Sequence, residues 1–204
     1  MISPDRFIAR SADREAWLWA REQGVTATMV SRAATPAGFA EMVARFDNPQ
    51  PVEVNGYMQW GVDREPYIAN VVKDRFGIMP NDWLIAKDAE ASRWQMATPD
   101  GLSVDHKWIA EIKTSGKRLH RIPIHYMRQI QWQLYVTDAE RCLFAVEERL
   151  EGPNGFAAGI DIECQWVDRN EKMIRDLVKV AEELQMQRVF QDQAELEGLL
   201  GEGS

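Results

Sequence analysis

The sequence predicts an α/β fold in which a mixed sheet is flanked by helices. Three observations lead there. A chain of 204 residues with 45% hydrophobic content can bury one sizeable core and is short for two. Short extended segments bounded by turn residues cluster in its middle, and helical periodicities lie on both sides of them. No internal repeat or low-complexity block interrupts the chain, so residues 1–190 read as a single domain.

Taken in order, Ser11 or Asp13 can cap a first helix that runs to about Gly24, with Trp17 and Ala20 or Arg21 on neighbouring turns. Thr26 caps a short second helix. Residues 37–60, which hold Asp47-Asn48-Pro49 and Asn55-Gly56, read as irregular. A helical pattern follows from about Val62 to Phe76 and stops at Gly77; Pro66 fits only in its first turn. Extended segments at about 83–88, 92–98 and 108–114, with Pro99-Asp100-Gly101 as a turn, make a small β-meander. A helix from about Ile124 to Val136, strands at 142–148 and near 162–167, and a helix from about Asn170 to Gln191 complete the order. The end, 191–204, with Glu195, Glu197, Glu202 and three glycines, reads as an acidic, flexible tail.

No apolar run approaches the ~20 residues that span a bilayer. The first residues, MISPDRFIAR, lack the apolar stretch of a secretory signal, so a cytoplasmic protein without a membrane partner is expected. Two cysteines, Cys142 and Cys164, cannot complete a four-ligand zinc or iron–sulfur site and read as packing residues. The net charge of −8 argues against a non-specific nucleic-acid coat. Yet Ile112 to Thr137 contains no acidic residue, while Lys113, Lys117, Arg118, Arg121 and Arg128 are joined by His120 and His125. That local basic surface is either an ordinary solvated face or a nucleic-acid contact.

The most informative stretch is Thr98-Pro99-Asp100-Gly101 followed by Ile109-Ala110-Glu111-Ile112-Lys113. Side chains alternate along a strand, so Glu111 and Lys113 share one face while Ala110 and Ile112 point to the core. Asp100, on the preceding turn, can bring a second carboxylate beside Glu111. Two carboxylates and a backbone carbonyl suit hard Mg²⁺, and the lysine is then a partner for an attacking water or a phosphate. An E-x-K pair alone equally suits a solvated edge strand. Glu65 shares a helix face with Ile68 or Ala69, Val72 and Phe76, which turns a carboxylate inward, although a glutamate near a helix start also favours the dipole. Gln131 shares a face with Met127, Leu134 and Tyr135, and a buried amide needs partners in the core or at a site. Of the eight tryptophans, Trp17, Trp19, Trp60, Trp83, Trp94 and Trp132 are expected mostly in the core, with one or two against DNA.

Glu65, the P-D-x(10)-E-x-K series ending at Lys113, and Gln131-x-x-x-Tyr135 resemble the ordered motifs of the restriction-endonuclease-like PD-(D/E)XK nucleases, in particular the RecB-like branch. The segment Arg21 to Thr28 is similar to the R-x-x-G-[IV]-T-A-[ST] signature of the lambda exonuclease family, also called YqaJ-like viral recombinases. Trp60-Gly61 with Glu65-Pro66, Gln129-Ile130-Gln131-Trp132 and Tyr135-Val136-Thr137 resemble the same family, over about residues 15–185. The resemblance implies a phage-type enzyme that digests one strand of duplex DNA from its 5′ end and leaves a 3′ single-stranded tail for a strand-annealing partner.

It also implies Mg²⁺, with Mn²⁺ as a substitute, held by Asp100, Glu111, the Ile112 carbonyl and Glu65. Gln131 assists Lys113 or the scissile strand, and Arg21, Thr28, Thr98 and Lys113 cradle the 5′-phosphate. The basic residues Lys117, Arg118, Arg121 and Arg128 are expected on DNA. Threonine stands at positions 28 and 98 where the family often has serine, which keeps the hydroxyl. Arg21 also has a plainer reading as a helix C-terminal cation. Homo-oligomeric rings are frequent in the family. A PD-(D/E)XK endonuclease and a non-catalytic DNA-end-binding protein are the competing readings, the second disfavoured by intact Asp100, Glu111 and Lys113.

Overall fold

The computed structural model describes residues 1–48, 53–153 and 155–201. A 3₁₀ turn, Pro4–Arg6, leads into β1 (Phe7–Arg10) and α1 (Arg14–Glu22), and the Asp13 carboxylate caps α1 by accepting from the Ala16 N–H at 3.2 Å. There follow β2 (Val25–Thr26), α2 (Ala27–Ala33), α3 (Pro36–Asp47), α4 (Gly56–Phe76), β3 (Ile78–Pro80), β4 (Trp83–Ala86) and β5 (Gln95–Ala97). Then come β6 (Gly101–Ser103), β7 (Trp108–Ser115), α5 (Ile124–Thr137), β8 (Arg141–Gly152), β9 (Gly155–Asp168) and α6 (Glu171–Gly201).

The strands form two mixed sheets, β1-β4-β5-β2 and β3-β6-β7-β8-β9. β2 runs parallel to β5, and β7 parallel to β8. The parallel pair β7 and β8 needs a crossover, and α5 supplies it. Alternation along β7 decides what each face meets. Ile109 joins the larger core, shared with Trp132 and Leu134 of α5 and Leu177 and Leu184 of α6. Ala110 and Ile112 join a smaller core with Ile68, Ala69 and Val72 of α4 and Leu143 and Ala145 of β8. The second sheet is therefore covered on both faces. Cys142 is buried and Cys164 partly so, both as free thiols. Among the described residues no helix is long and apolar enough to cross a membrane.

Several expected elements differ. Residues 37–47 of the segment read as irregular belong to α3, because Thr35 accepts from the Gly38 N–H at 3.1 Å and Pro36 opens the helix. Pro49 lies outside the described residues. α4 begins at Gly56 and not at Val62, capped by the Asn55 side chain accepting from the Met58 N–H at 3.0 Å, which places Pro66 inside the helix. Pro66 is exposed, where water can take the carbonyl it leaves unpaired. The expected meander is split: β4 and β5 pair in the first sheet, and the 99–101 turn carries the chain across to the second. α6 continues to Gly201, beyond the expected stop at Gln191.

A buried ion pair that no sequence pattern announces joins α4 to β8. Glu147, 2% exposed, accepts from Arg64 Nε at 2.8 Å and from Nη2 at 2.6 Å in a two-pronged pair. The hydrogen bond from Arg64 to Glu147 holds the guanidinium pKa above its usual value. Arg64→Ala strands a buried carboxylate and is expected to destabilise the fold by about 3–5 kcal/mol, read by chemical denaturation.

Candidate active site

The site is assembled where the chain changes sheets. After β5 ends, Thr98-Pro99-Asp100 enters β6, which pairs antiparallel with β7. Gly101 permits this, since a Cβ there would lie 2.9 Å from Ile78 Cγ2 and 3.0 Å from the Ala110 Cβ. The Asp100 N–H donates to the Ala110 carbonyl at 3.0 Å, and its carboxylate accepts from the Ile112 N–H at 2.6 Å. A strand residue aims its N–H and C=O to the same edge, so the Ile112 carbonyl opens beside Asp100. Glu111, 3% exposed on the α5 side, accepts from Gln133 Nε2 at 2.6 Å, and its other oxygen is ion-paired with the Lys113 ammonium.

The charges are arranged against ordinary solvation. Burial first, and then the Glu111 carboxylate, push the Asp100 carboxyl well above its usual range, against the pull of Lys113. Burial disfavours the Lys113 ammonium, but Glu111 and Asp100 outweigh it and hold that pKa above its ordinary value. Two carboxylates forced together beside an open carbonyl are an oxygen donor set that fits a hard divalent cation. The Thr26 Oγ1 and Gln133 Oε1 atoms, buried without a partner among the described residues, line the same cleft as polar groups waiting for a ligand or water. No three His, Cys, Asp or Glu side chains converge among the described residues, so the third protein oxygen there would be the Ile112 carbonyl.

Glu65 departs from the inward position expected of it. It is exposed at the mouth of the adjoining groove, and Ile68, three residues on, is the first buried residue of its stripe. Burial against the groove wall raises its carboxyl pKa, with Lys113 opposing and Glu111 adding.

A cavity of about 200 Å³ brings Arg21, Thr28 and Thr98 onto Asp100, Glu111 and Lys113. The N-terminal residues arrive there through Gly24, where a Cβ would fall 2.3 Å from the Trp94 carbonyl oxygen. That close approach lets Val25 N–H donate to Trp94 O at 2.7 Å and β2 dock on β5, which sets the start of α2 beside Thr98. Arg21 lies over the Trp17 ring at 4.2 Å, its pKa lowered by burial and then by Arg14.

Gln131 is not part of this constellation. Its amide donates to the Asp168 carbonyl at 2.9 Å and accepts from the Asn170 N–H at 2.7 Å, tying α5 to the start of α6. The glutamines of α5 that line the cavity are Gln129 and Gln133, neither singled out for the site by sequence reasoning, and it is Gln133 that donates to Glu111. Gln131→Ala is expected to lower thermal stability by removing two buried partners while leaving turnover per folded molecule intact. Gln133→Leu is expected to keep the fold and lose roughly 10–100-fold in activity, because it orients Glu111 from behind. Melting curves and initial rates on both variants separate the roles.

The basic stretch also disperses. Arg118 is ion-paired with Glu163 of β9, Lys117 and Arg118 line a cleft over β8 and β9, Arg128 faces a groove against α6, and Arg121 is exposed. Lys117, Arg118 and Arg121 lie on the connection between β7 and α5, and only Arg128 is on α5 itself. Trp17 and Trp132 are core residues, whereas Trp19 is 66% exposed.

Residues 16–140 match the model of the YqaJ-like viral recombinase domain. No curated protein sequence matches the chain. Among solved structures, the alkaline exonuclease LHK-Exo from Laribacter hongkongensis is similar at 23% identity and a TM-score of 0.65, covering 90% of this chain and 98% of that one. LHK-Exo in complex with dAMP aligns with a TM-score of 0.68 at 22% identity, covering 93% and 97%. A phage-related exonuclease from Haemophilus somnus aligns with a TM-score of 0.62 at 14% identity, covering 89% and 96%. At these identities the structures establish the fold, which the chain shares with these exonucleases, and by the domain match the chain belongs to the YqaJ-like viral recombinase family.

Proposed function

We propose that the protein is a Mg²⁺-dependent exonuclease that degrades the 5′-ended strand of duplex DNA and leaves 3′ single-stranded tails. The observation that carries this reading is the shared cavity: Arg21, Thr28 and Thr98 meet Asp100, Glu111 and Lys113 in about 200 Å³. A guanidinium and two hydroxyls suit a terminal phosphate, and the space suits a strand end better than a continuous duplex. The similar LHK-Exo structure holds dAMP, a mononucleotide of the kind such digestion releases.

Asp100, Glu111 and the Ile112 carbonyl are the residues that would hold the cation, which supplies charge neutralisation and a more acidic water at the scissile phosphate. Lys113, paired with Glu111, places its ammonium where the attacking water and a non-bridging phosphate oxygen come together. Gln133 fixes the Glu111 carboxylate. Arg21 with Thr28 and Thr98 holds the end so that the first internal phosphodiester reaches the carboxylates. The 3′ tail is then the substrate of a strand-annealing partner in the cytoplasm, and a ring of subunits would keep the duplex engaged.

The test compares linear and covalently closed circular duplex, each with Mg²⁺ and with EDTA. Digestion of the linear form alone, and only with the metal, is expected. Cutting of the closed circle would replace this reading with an endonuclease.

A further inference from the structure

On the other side of Lys113 from the Arg21 cavity, a groove of about 620 Å³ runs along the part of β7 that continues beyond its pairing with β6, past Glu65 and Thr114, to Arg149 of β8. Arg149 is built in and under-partnered. Its side chain is 11% exposed, and its guanidinium lies 4.4 Å from the Tyr57 ring centroid and 5.1 Å from that of Phe156. Among the described residues its one ionic contact is a 3.5 Å approach to Glu151, itself half-exposed, and its Nε is buried without a partner. Gly116 leaves the room, since a Cβ there would lie 3.0 Å from Arg149 Nη2. A guanidinium so far removed from water calls for an anion stronger than a distant, solvated carboxylate.

We propose that Arg149 and this groove form a second phosphate-binding site, which holds a backbone phosphate of the cleaved strand on the 3′ side of the scissile bond. The proposal rests on the exonuclease reading above. With the strand end held by Arg21 and the scissile phosphate at Asp100 and Glu111, the strand leaves past Lys113, which lines both cavities. From Lys113 to Gly116, just past the end of β7, the extended chain spans about 10 Å, so the phosphate held is within about three nucleotides of the cut. The aromatic clamp fixes the fork beforehand, and planar bidentate recognition of phosphate is what a pre-set guanidinium offers over an ammonium.

The experiment measures binding of 5′-phosphorylated duplex in EDTA, using single neutral methylphosphonates placed at successive positions of the 5′-ended strand, with wild type, Arg149→Met, Arg149→Lys and Glu151→Gln. Arg149→Met is expected to bind unmodified duplex about tenfold more weakly, with the salt slope reduced by about one. One methylphosphonate among the first three positions beyond the scissile bond should weaken wild type by a similar factor and Arg149→Met no further. Glu151→Gln should bind at least as well as wild type. If Arg149→Met fails to fold, Arg149→Lys carries the test: the penalty at that same position should shrink.

Wild-type affinity in Arg149→Met, or losses that multiply at every position, would overturn the site. So would equal melting losses in Arg149→Met and Glu151→Gln with unchanged DNA affinity, since that marks a purely structural pair. A wild type that shows the position-specific coupling yet cuts closed circles keeps the grip and loses the exonuclease reading; one that binds no duplex overturns both.

Discussion

Asp100→Asn is expected to lower cleavage of linear duplex by about 10³-fold without loss of the fold. Asparagine keeps an oxygen that can accept from the Ile112 N–H, so the β6–β7 turn keeps its tie. What disappears is a charge that burial and Glu111 make unfavourable. The sign of the stability effect follows from linkage. A carboxyl whose folded pKa is raised binds more protons folded than unfolded, so wild-type stability falls as pH rises through that range. The melting temperature of Asp100→Asn should therefore match wild type in acid and exceed it increasingly above the ordinary carboxylate range. Added Mg²⁺ should raise the wild-type melting temperature and leave the variant's nearly unmoved. A variant that keeps its activity, or gains as much stability from Mg²⁺, would remove Asp100 from the metal site.

Arg21→Ala is expected to slow digestion of 5′-phosphorylated ends by about 10–100-fold, the worth of a charge-assisted phosphate grip. Its rate on 5′-hydroxyl ends should barely change, so that wild type prefers phosphorylated ends and the variant does not. Arg21 donates nothing to the metal ligands, and its stack on Trp17 can be lost from a helix end with little effect on the core. Equal rates on both ends in wild type, or an undiminished preference in Arg21→Ala, would return Arg21 to a helix-terminal cation.

The parts of the site that were legible in the sequence are those set by short-range geometry. Strand alternation put Glu111 and Lys113 on one face, and the turn at Pro99-Asp100-Gly101 announced the second carboxylate. The choice among Gln129, Gln131 and Gln133 was not legible, because it depends on which face of α5 meets β7, and that is fixed by packing between elements far apart in sequence. Arg64 and Glu147 escaped for the same reason, being 83 positions apart. β1, β2, β3 and β6 run only two to four residues, too short for periodicity to register. For α3, the signal was present in Thr35-Pro36, but the turn residues of Asp47-Asn48-Pro49 and Asn55-Gly56 outweighed it.

The polarity of digestion separates resection from a 5′ end from every competing activity. Linear duplex carrying a label on the 5′ phosphate of one strand, or on the 3′ end of the same strand, is incubated with the protein and Mg²⁺, and the products are resolved over time. The 5′ label should appear first, as mononucleotide, while the 3′ label stays on a strand that shortens steadily, and the complementary strand is shortened only from its own 5′ end at the far terminus. Early release of the 3′ label, or internal fragments before any mononucleotide, would contradict the account.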